Sequence, residues 1–129
     1  NRLVGLATPG EAQEFFDFFT NTLKLTKKCT QLVVDHFEKT FQRGPDFFSA
    51  PVFAKALEIP GLIIHDEDDI ETPFYHAERI HRAWKNSKLI KTKGFGHNLR
   101  ANEVVDDVVD YVNDPMSLGL KSMALNNHQ

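Results

Sequence analysis

From residue 59 to residue 112 the chain switches repeatedly between short apolar runs and segments of helical period, and this alternation limits the possible folds more than any other feature. Gly61 to His65 (GLIIH) follows Ile59-Pro60; it is too short for a helix and reads as a buried strand. Thr72-Pro73 then supplies an N-cap and first-turn pair for a helix through Ala77, Ile80 and Trp84, which Asn86-Ser87 ends. Lys88 to Lys93 reads as another strand, Gly94 to Arg100 as a loop, and Asn102 as the cap of a last helix. That helix carries Val104, Val105, Val108, Val109 and Val112 on one face; valine is β-prone, but spacing by three and four is helical. Strand, helix, strand and helix in this order predict an α/β domain, a parallel sheet with flanking helices.

The upstream half follows a different rule. Arg2 to Ala7 is a short apolar strand stopped by Thr8-Pro9-Gly10. Glu11 to Lys24 then places Phe15, Phe16, Phe19 and Leu23 on one helical face, which Phe18 widens. Thr26 is the expected N-cap of a second helix through Cys29, Val33, Phe37 and Phe41, with Arg43-Gly44-Pro45 as its stop. The run from Asp46 to Pro60 fits either a short helix or a packed loop. From Asn113 onward periodicity fades and the expectation is a tail that is loose or crosses over another surface. At 129 residues the chain is short for a parallel α/β fold, and it opens with Asn1-Arg2 directly on an apolar run. A partial sheet belonging to something larger is expected, with an exposed sheet edge that favours self-association or company from another part of the same protein.

Composition narrows the function classes. A hydrophobic share of 41% with 26% charged residues is that of an ordinary globular chain, and the apolar runs fall well short of a membrane span. Cys29 is the only cysteine, so no internal disulfide framework exists, and with no secretory signal in view the cytoplasm is the default location. A net charge of -3 argues against a nucleic-acid partner.

Functional groups of a parallel sheet gather at the carboxyl ends of its strands. Two ends stand out: the strand ending at His65 leads into Asp66-Glu67-Asp68-Asp69-Ile70-Glu71, and the strand ending at Lys93 leads into Gly94-Phe95-Gly96-His97. A carboxylate that accepts the Nδ1 proton of an imidazole fixes its tautomer and stabilises the cation formed when Nε2 takes a proton. Glycines on both sides of Phe95 let the loop turn tightly. Plainer readings stand beside this one. Carboxylates ahead of a helix favour its dipole and solvate the turn. His65, Asp66, Asp68 and His76 are a conceivable metal set. His76 and His81, five apart on one helix, do not converge and read as surface residues. The phenylalanine stripe is either packing or the lining of an apolar channel.

The run Ile59-Pro60-Gly61-Leu62-Ile63-Ile64-His65, the turn Asp66-Glu67-Asp68-Asp69 with Thr72-Pro73, the segment Trp84 to Leu89 and Gly94-Phe95-Gly96-His97 together resemble the late strands and the acid and histidine loops of the α/β-hydrolase family. The resemblance covers Ile59 to Val112. It implies Asp69 as the acid and His97 as the base of a catalytic triad, with no metal or cofactor. It also implies residues 1–9 as a core strand, 10–58 as a helical cap insertion, 59–113 as the C-terminal hydrolase core and 114–129 as a tail. Asp66 stands where the family most often has glycine, an exchange that aspartate's tolerance of unusual backbone angles makes acceptable. The family's G-x-S-x-G nucleophile elbow is missing: Ser49, Ser87, Ser117 and Ser122 lack the flanking glycines. By family order the nucleophile precedes the acid and so falls outside this sequence. The implied function is the C-terminal part of a capped serine hydrolase acting on ester or related acyl substrates, inactive alone. A non-catalytic ligand-binding protein on the same scaffold is the alternative.

Overall fold

A computed structural model of the chain describes residues 1–114; the remainder of the expected tail, 115–129, lies outside the described residues. Three strands, β1 (Leu3–Leu6), β2 (Gly61–Asp66) and β3 (Ser87–Thr92), form one parallel sheet in the order β1-β2-β3. Leu3 pairs with Gly61, and Gly61 with Ser87. Every residue of β2 is buried, as the unbroken apolar run from Gly61 requires of a central parallel strand.

Because strand side chains alternate in direction, β2 feeds two cores. Leu62 and Ile64 join Ala7, Leu99, Val104 and Tyr111 beneath helix α5 (Asn102–Asn113). Ile63 points the other way, into a cluster with Ala54, Ala77, Ile80 and Trp84 from α3 (Ala50–Ala54) and α4 (Tyr75–Ala83) with its C-terminal flank. The open stretch after Asp46 therefore resolves into a 3-10 turn, Pro45–Phe47, followed by the short helix α3.

Between β1 and β2 lie α1 (Ala12–Thr22) and α2 (Lys27–Phe41). Thr26 caps α2 as its sequence predicts, its hydroxyl accepting from the Cys29 N–H at 3.2 Å. The stop differs: Gln42, with φ of 58°, takes the left-handed position two residues before Gly44. The aromatic face of α1 does not enter the sheet core. Phe16 meets Phe37 of α2 edge-on at 5.2 Å, and Phe37 meets Phe48 at 5.5 Å, while Phe15, Phe18 and Phe19 stay exposed. Phe16 alone carries the ring contact of this face to α2, and Leu23 is exposed with the other three.

Two helix starts also differ from expectation. Thr72 does not cap α4, which begins at Tyr75 with Phe74 flanking it; its backbone is committed to the acid turn. Asn102 lies inside α5, whose flanking residue is Ala101 without a side-chain cap.

His76 is not a surface residue. It is buried, its Nδ1 accepts the Gly10 N–H at 2.9 Å, and its Nε2 lies 3.1 Å from Glu14, which also receives the Tyr75 hydroxyl and Arg79. This cluster ties α1 to α4. Burial pushes the His76 imidazole below its ordinary 6.5, and the opposing pull of the Glu14 carboxylate does not reverse it. Above pH 6.5 the ring is neutral both folded and unfolded and its contribution is complete; below 6.5 the unfolded chain takes the proton first and stability falls. The urea midpoint is expected to drop from about pH 7.5 to about pH 5.5, and His76→Gln is expected to flatten that slope. An unchanged slope in the variant would assign the effect to other groups.

Candidate active site

The carboxyl ends of β2 and β3 carry the acid turn and the histidine loop side by side. Asp69 is 5% exposed. Its Oδ1 accepts the backbone N–H groups of Glu71 at 2.9 Å and Thr72 at 2.8 Å. Its Oδ2 lies 2.9 Å from Nδ1 of His97. The two residues singled out from sequence, 28 positions apart, are thus in hydrogen-bond contact. With two backbone donors on one oxygen, Asp69 is held as an acceptor, so the imidazole proton belongs on Nδ1 and the lone pair on Nε2. The His97 side chain is one-third exposed, and its Nε2 stands 3.8 Å from a Glu71 oxygen. A ring so held can take a proton at Nε2 while its cation faces the buried Asp69 carboxylate.

The remaining acidic residues do different work. Asp66 is completely buried, which overturns its reading as a solvating carboxylate at a helix end. Its Oδ2 accepts from the Thr92 hydroxyl at 2.8 Å and the Phe95 N–H at 2.9 Å, and its Oδ1 from the Asp68 N–H at 3.0 Å. Burial pushes the Asp66 carboxyl up, but the donors from Phe95, Thr92 and Asp68 together outweigh it and hold it below its ordinary value. Asp66 is therefore a clamp, and unusual backbone angles are not its reason for replacing glycine, since its φ is not positive. Asp68 adds a second clasp, its Oδ2 accepting the Gly94 N–H at 3.1 Å. Glu67 faces outward and pairs with Lys93 at 2.8 Å.

These clasps fix the loop that carries His97. Gly94 and Gly96 have φ of 82° and 64°, angles that glycine adopts without strain, so the loop reverses sharply on either side of Phe95. Leu99, with φ of 48° and 5% exposure, anchors the far end in the core beneath α5. Sequence reasoning passes over Thr92 and Leu99, takes Thr72 as a helix cap, and weighs Asp66 as a solvating or metal-binding carboxylate but not as a clamp on the histidine loop. Only the phase of β2 hints at His65, which shares the face of Ile63.

A cleft of about 200 Å³ opens beside the acid turn, with Phe15, Phe18 and Ile70 as apolar walls and Glu71, Thr72 and Tyr75 among its polar lining. Part of the phenylalanine stripe therefore borders a cleft and part of it packs. Neither of the described serines is placed beside His97 as a partner: Ser49 bonds Glu11 at 2.9 Å, and Ser87 bonds the Trp84 carbonyl at 2.7 Å. Cys29 is exposed on α2. Among the described residues no group of three or more His, Cys, Asp or Glu side chains is arranged to hold a metal, and no helix is long and apolar enough to cross a membrane.

Comparison with known proteins agrees with this architecture. Over 51 residues the chain is 35% identical to the proline iminopeptidase of Xylella fastidiosa (strain Temecula1 / ATCC 700964), a stretch that covers 40% of this chain and 16% of that relative. The matched stretch thus spans about a sixth of the relative's length. Residues 19–116 match the family described as TAP-like protein, a family of α/β-hydrolases. That match takes in α2, the sheet strands β2 and β3, and both loops that meet at Asp69 and His97, and the chain accordingly belongs to the TAP-like family of α/β-hydrolases.

Proposed function

We propose that this chain supplies the acid and the base of a Ser-His-Asp triad in an acyl hydrolase whose serine lies outside these 129 residues. The observation that supports this most directly is the 2.9 Å contact between Asp69 Oδ2 and His97 Nδ1, with the carboxylate buried and the ring open to the surface. In this reading Nε2 of His97 takes the serine proton as the hydroxyl attacks the acyl carbon, then gives it to the leaving group. In deacylation it takes a proton from the water that attacks the acyl carbon and returns that proton to the serine oxygen as the acyl–oxygen bond breaks and the acid leaves. Asp69 orients the ring and faces the imidazolium at each stage. Residues 10–58 act as the cap over the site.

The substrate class is an ester or a related acyl compound. The relative named proline iminopeptidase adds the amide of an N-terminal imino acid to the candidates. The chain alone is expected to be inactive, because a base without a nucleophile and oxyanion hole has nothing to activate. Its hydrolysis of p-nitrophenyl acetate and of proline p-nitroanilide should not exceed that of the His97→Ala variant, and a fluorophosphonate probe should leave it unlabelled. Turnover above that control would overturn the assignment. The reading frame upstream separates the proposal from a ligand-binding protein on this scaffold: a G-x-S-x-G between strand and helix is expected, and its replacement would favour the binder.

A further inference from the structure

His65 is buried completely, yet nothing in the triad reading employs it. Its Nε2 lies 2.6 Å from the Thr72 carbonyl oxygen and 3.4 Å from Asp69 Oδ2. A carbonyl can only accept, so Nε2 carries the proton and Nδ1 keeps the lone pair. That Nδ1 is buried and has no hydrogen-bond partner among the described residues. An orphaned nitrogen of this kind costs free energy that a leucine on the same face as Ile63 would avoid. The other nitrogen has a role that a leucine could not fill.

We propose that His65 is a positioning residue for the Asp69–His97 pair. Its Nε2–H holds the Thr72 carbonyl, the N–H of Thr72 donates to Asp69 Oδ1 at 2.8 Å, and Asp69 Oδ2 accepts from His97. The carboxylate is thereby closed between two imidazoles: His65 locks its rotation from behind, and His97 reads that orientation in front. Phe74, edge-on to the His65 ring at 5.9 Å, walls the back of the arrangement. The inference rests on Asp69 and His97 being the acid and the base.

Nitrogen-15 NMR of the histidines in the 129-residue chain tests it. In the unsubstituted chain His65 is expected as the neutral Nε2–H tautomer, with the His97 Nδ1 proton slow to exchange. His65→Leu is expected to speed that exchange roughly tenfold, the worth of about one buried hydrogen bond. His65→Gln, whose amide N–H can stand in for Nε2–H, is expected to restore most of the protection. An Nδ1–H tautomer of His65, with no proton on Nε2, would overturn the proposal. So would an unchanged exchange rate in His65→Leu, or equal loss in both variants. If the leucine variant does not fold, the tautomer and the glutamine variant decide. These signals need no turnover, so the two failures are distinguishable: absent hydrolysis in a polypeptide that carries the pair counts against the triad reading, and an unchanged exchange rate in His65→Leu counts against the positioning role.

Discussion

His97→Ala, in a polypeptide that joins this chain to a serine-bearing strand-to-helix elbow, is expected to lower kcat/KM by roughly 10⁴-fold or more with little change in KM. The ring is one-third exposed and is held to the protein by its Nδ1 contact with Asp69, so its removal should leave the fold intact while deleting the proton acceptor. Asp69→Asn should cost nearly as much for a different reason. The introduced amide could keep its oxygen on the Glu71 and Thr72 N–H groups, but its NH₂ would then face His97 and ask Nδ1 to accept. That tautomer places the proton on Nε2, where the base needs a lone pair. Steady-state kinetics with both variants, folding checked by circular dichroism, decides the matter. A fall of less than about tenfold in either would remove that residue from the triad.

The largest loss of stability is expected from Trp84→Ala, about 3 to 5 kcal/mol. Trp84 is 3% exposed and follows directly on α4. Its indole N–H donates to the Ile59 carbonyl at 3.0 Å, and its ring covers Gly61 so closely that a Cβ there would lie 2.1 Å from ring carbons. One side chain thus closes the second core and fixes the entry of the chain into β2. Truncation opens a cavity against Ile63 and Ile80 and strips the Ile59 carbonyl of its donor. Urea unfolding followed by far-ultraviolet circular dichroism measures the change. A loss below about 1 kcal/mol would mean that the cluster collapses into the space and that the indole matters less than its burial suggests. Gly61→Ala should be better tolerated in the Trp84→Ala background than alone, because the indole is what the new methyl meets.

The loops that carry Asp69 and His97 are legible for a local reason. Each follows a short apolar run, and each turn is written in residues that signal a reversal: the acidic tetrad after His65, and the glycines around Phe95. What surrounds the pair is not legible, because much of it acts across strands, and Thr72, which bonds Asp69 within one turn, is spelled like a helix cap. Asp66 reaches Thr92 and Phe95, 26 and 29 positions away, and from sequence alone it is one more acidic residue in an acidic run. His76 reads as a surface histidine because helical phase says where a side chain points and not what lies opposite it. Glu14 and Gly10, which make its site buried and polar, come from the far side of the helical insertion.

The sequence by itself determined the α/β class, the parallel order of secondary structure from residue 59 onward, the helical character of α1 and α2, and the two strand ends where chemistry gathers. Those features depend on period and turn chemistry, which operate over fewer than about twenty residues. Only the tertiary structure decided that Phe16 of α1 meets α2 while Phe15 and Phe18 border a cleft, with none of the three in the sheet core. It also decided that Thr72 serves the acid turn and not α4, and that Asp66 clamps the histidine loop. The physical reason is that a polar atom or an aromatic ring is satisfied by whichever partner the fold brings within a few ångströms: for Asp66 that partner stands 26 positions away, while for Thr72 the turn itself brings up Asp69, three positions away.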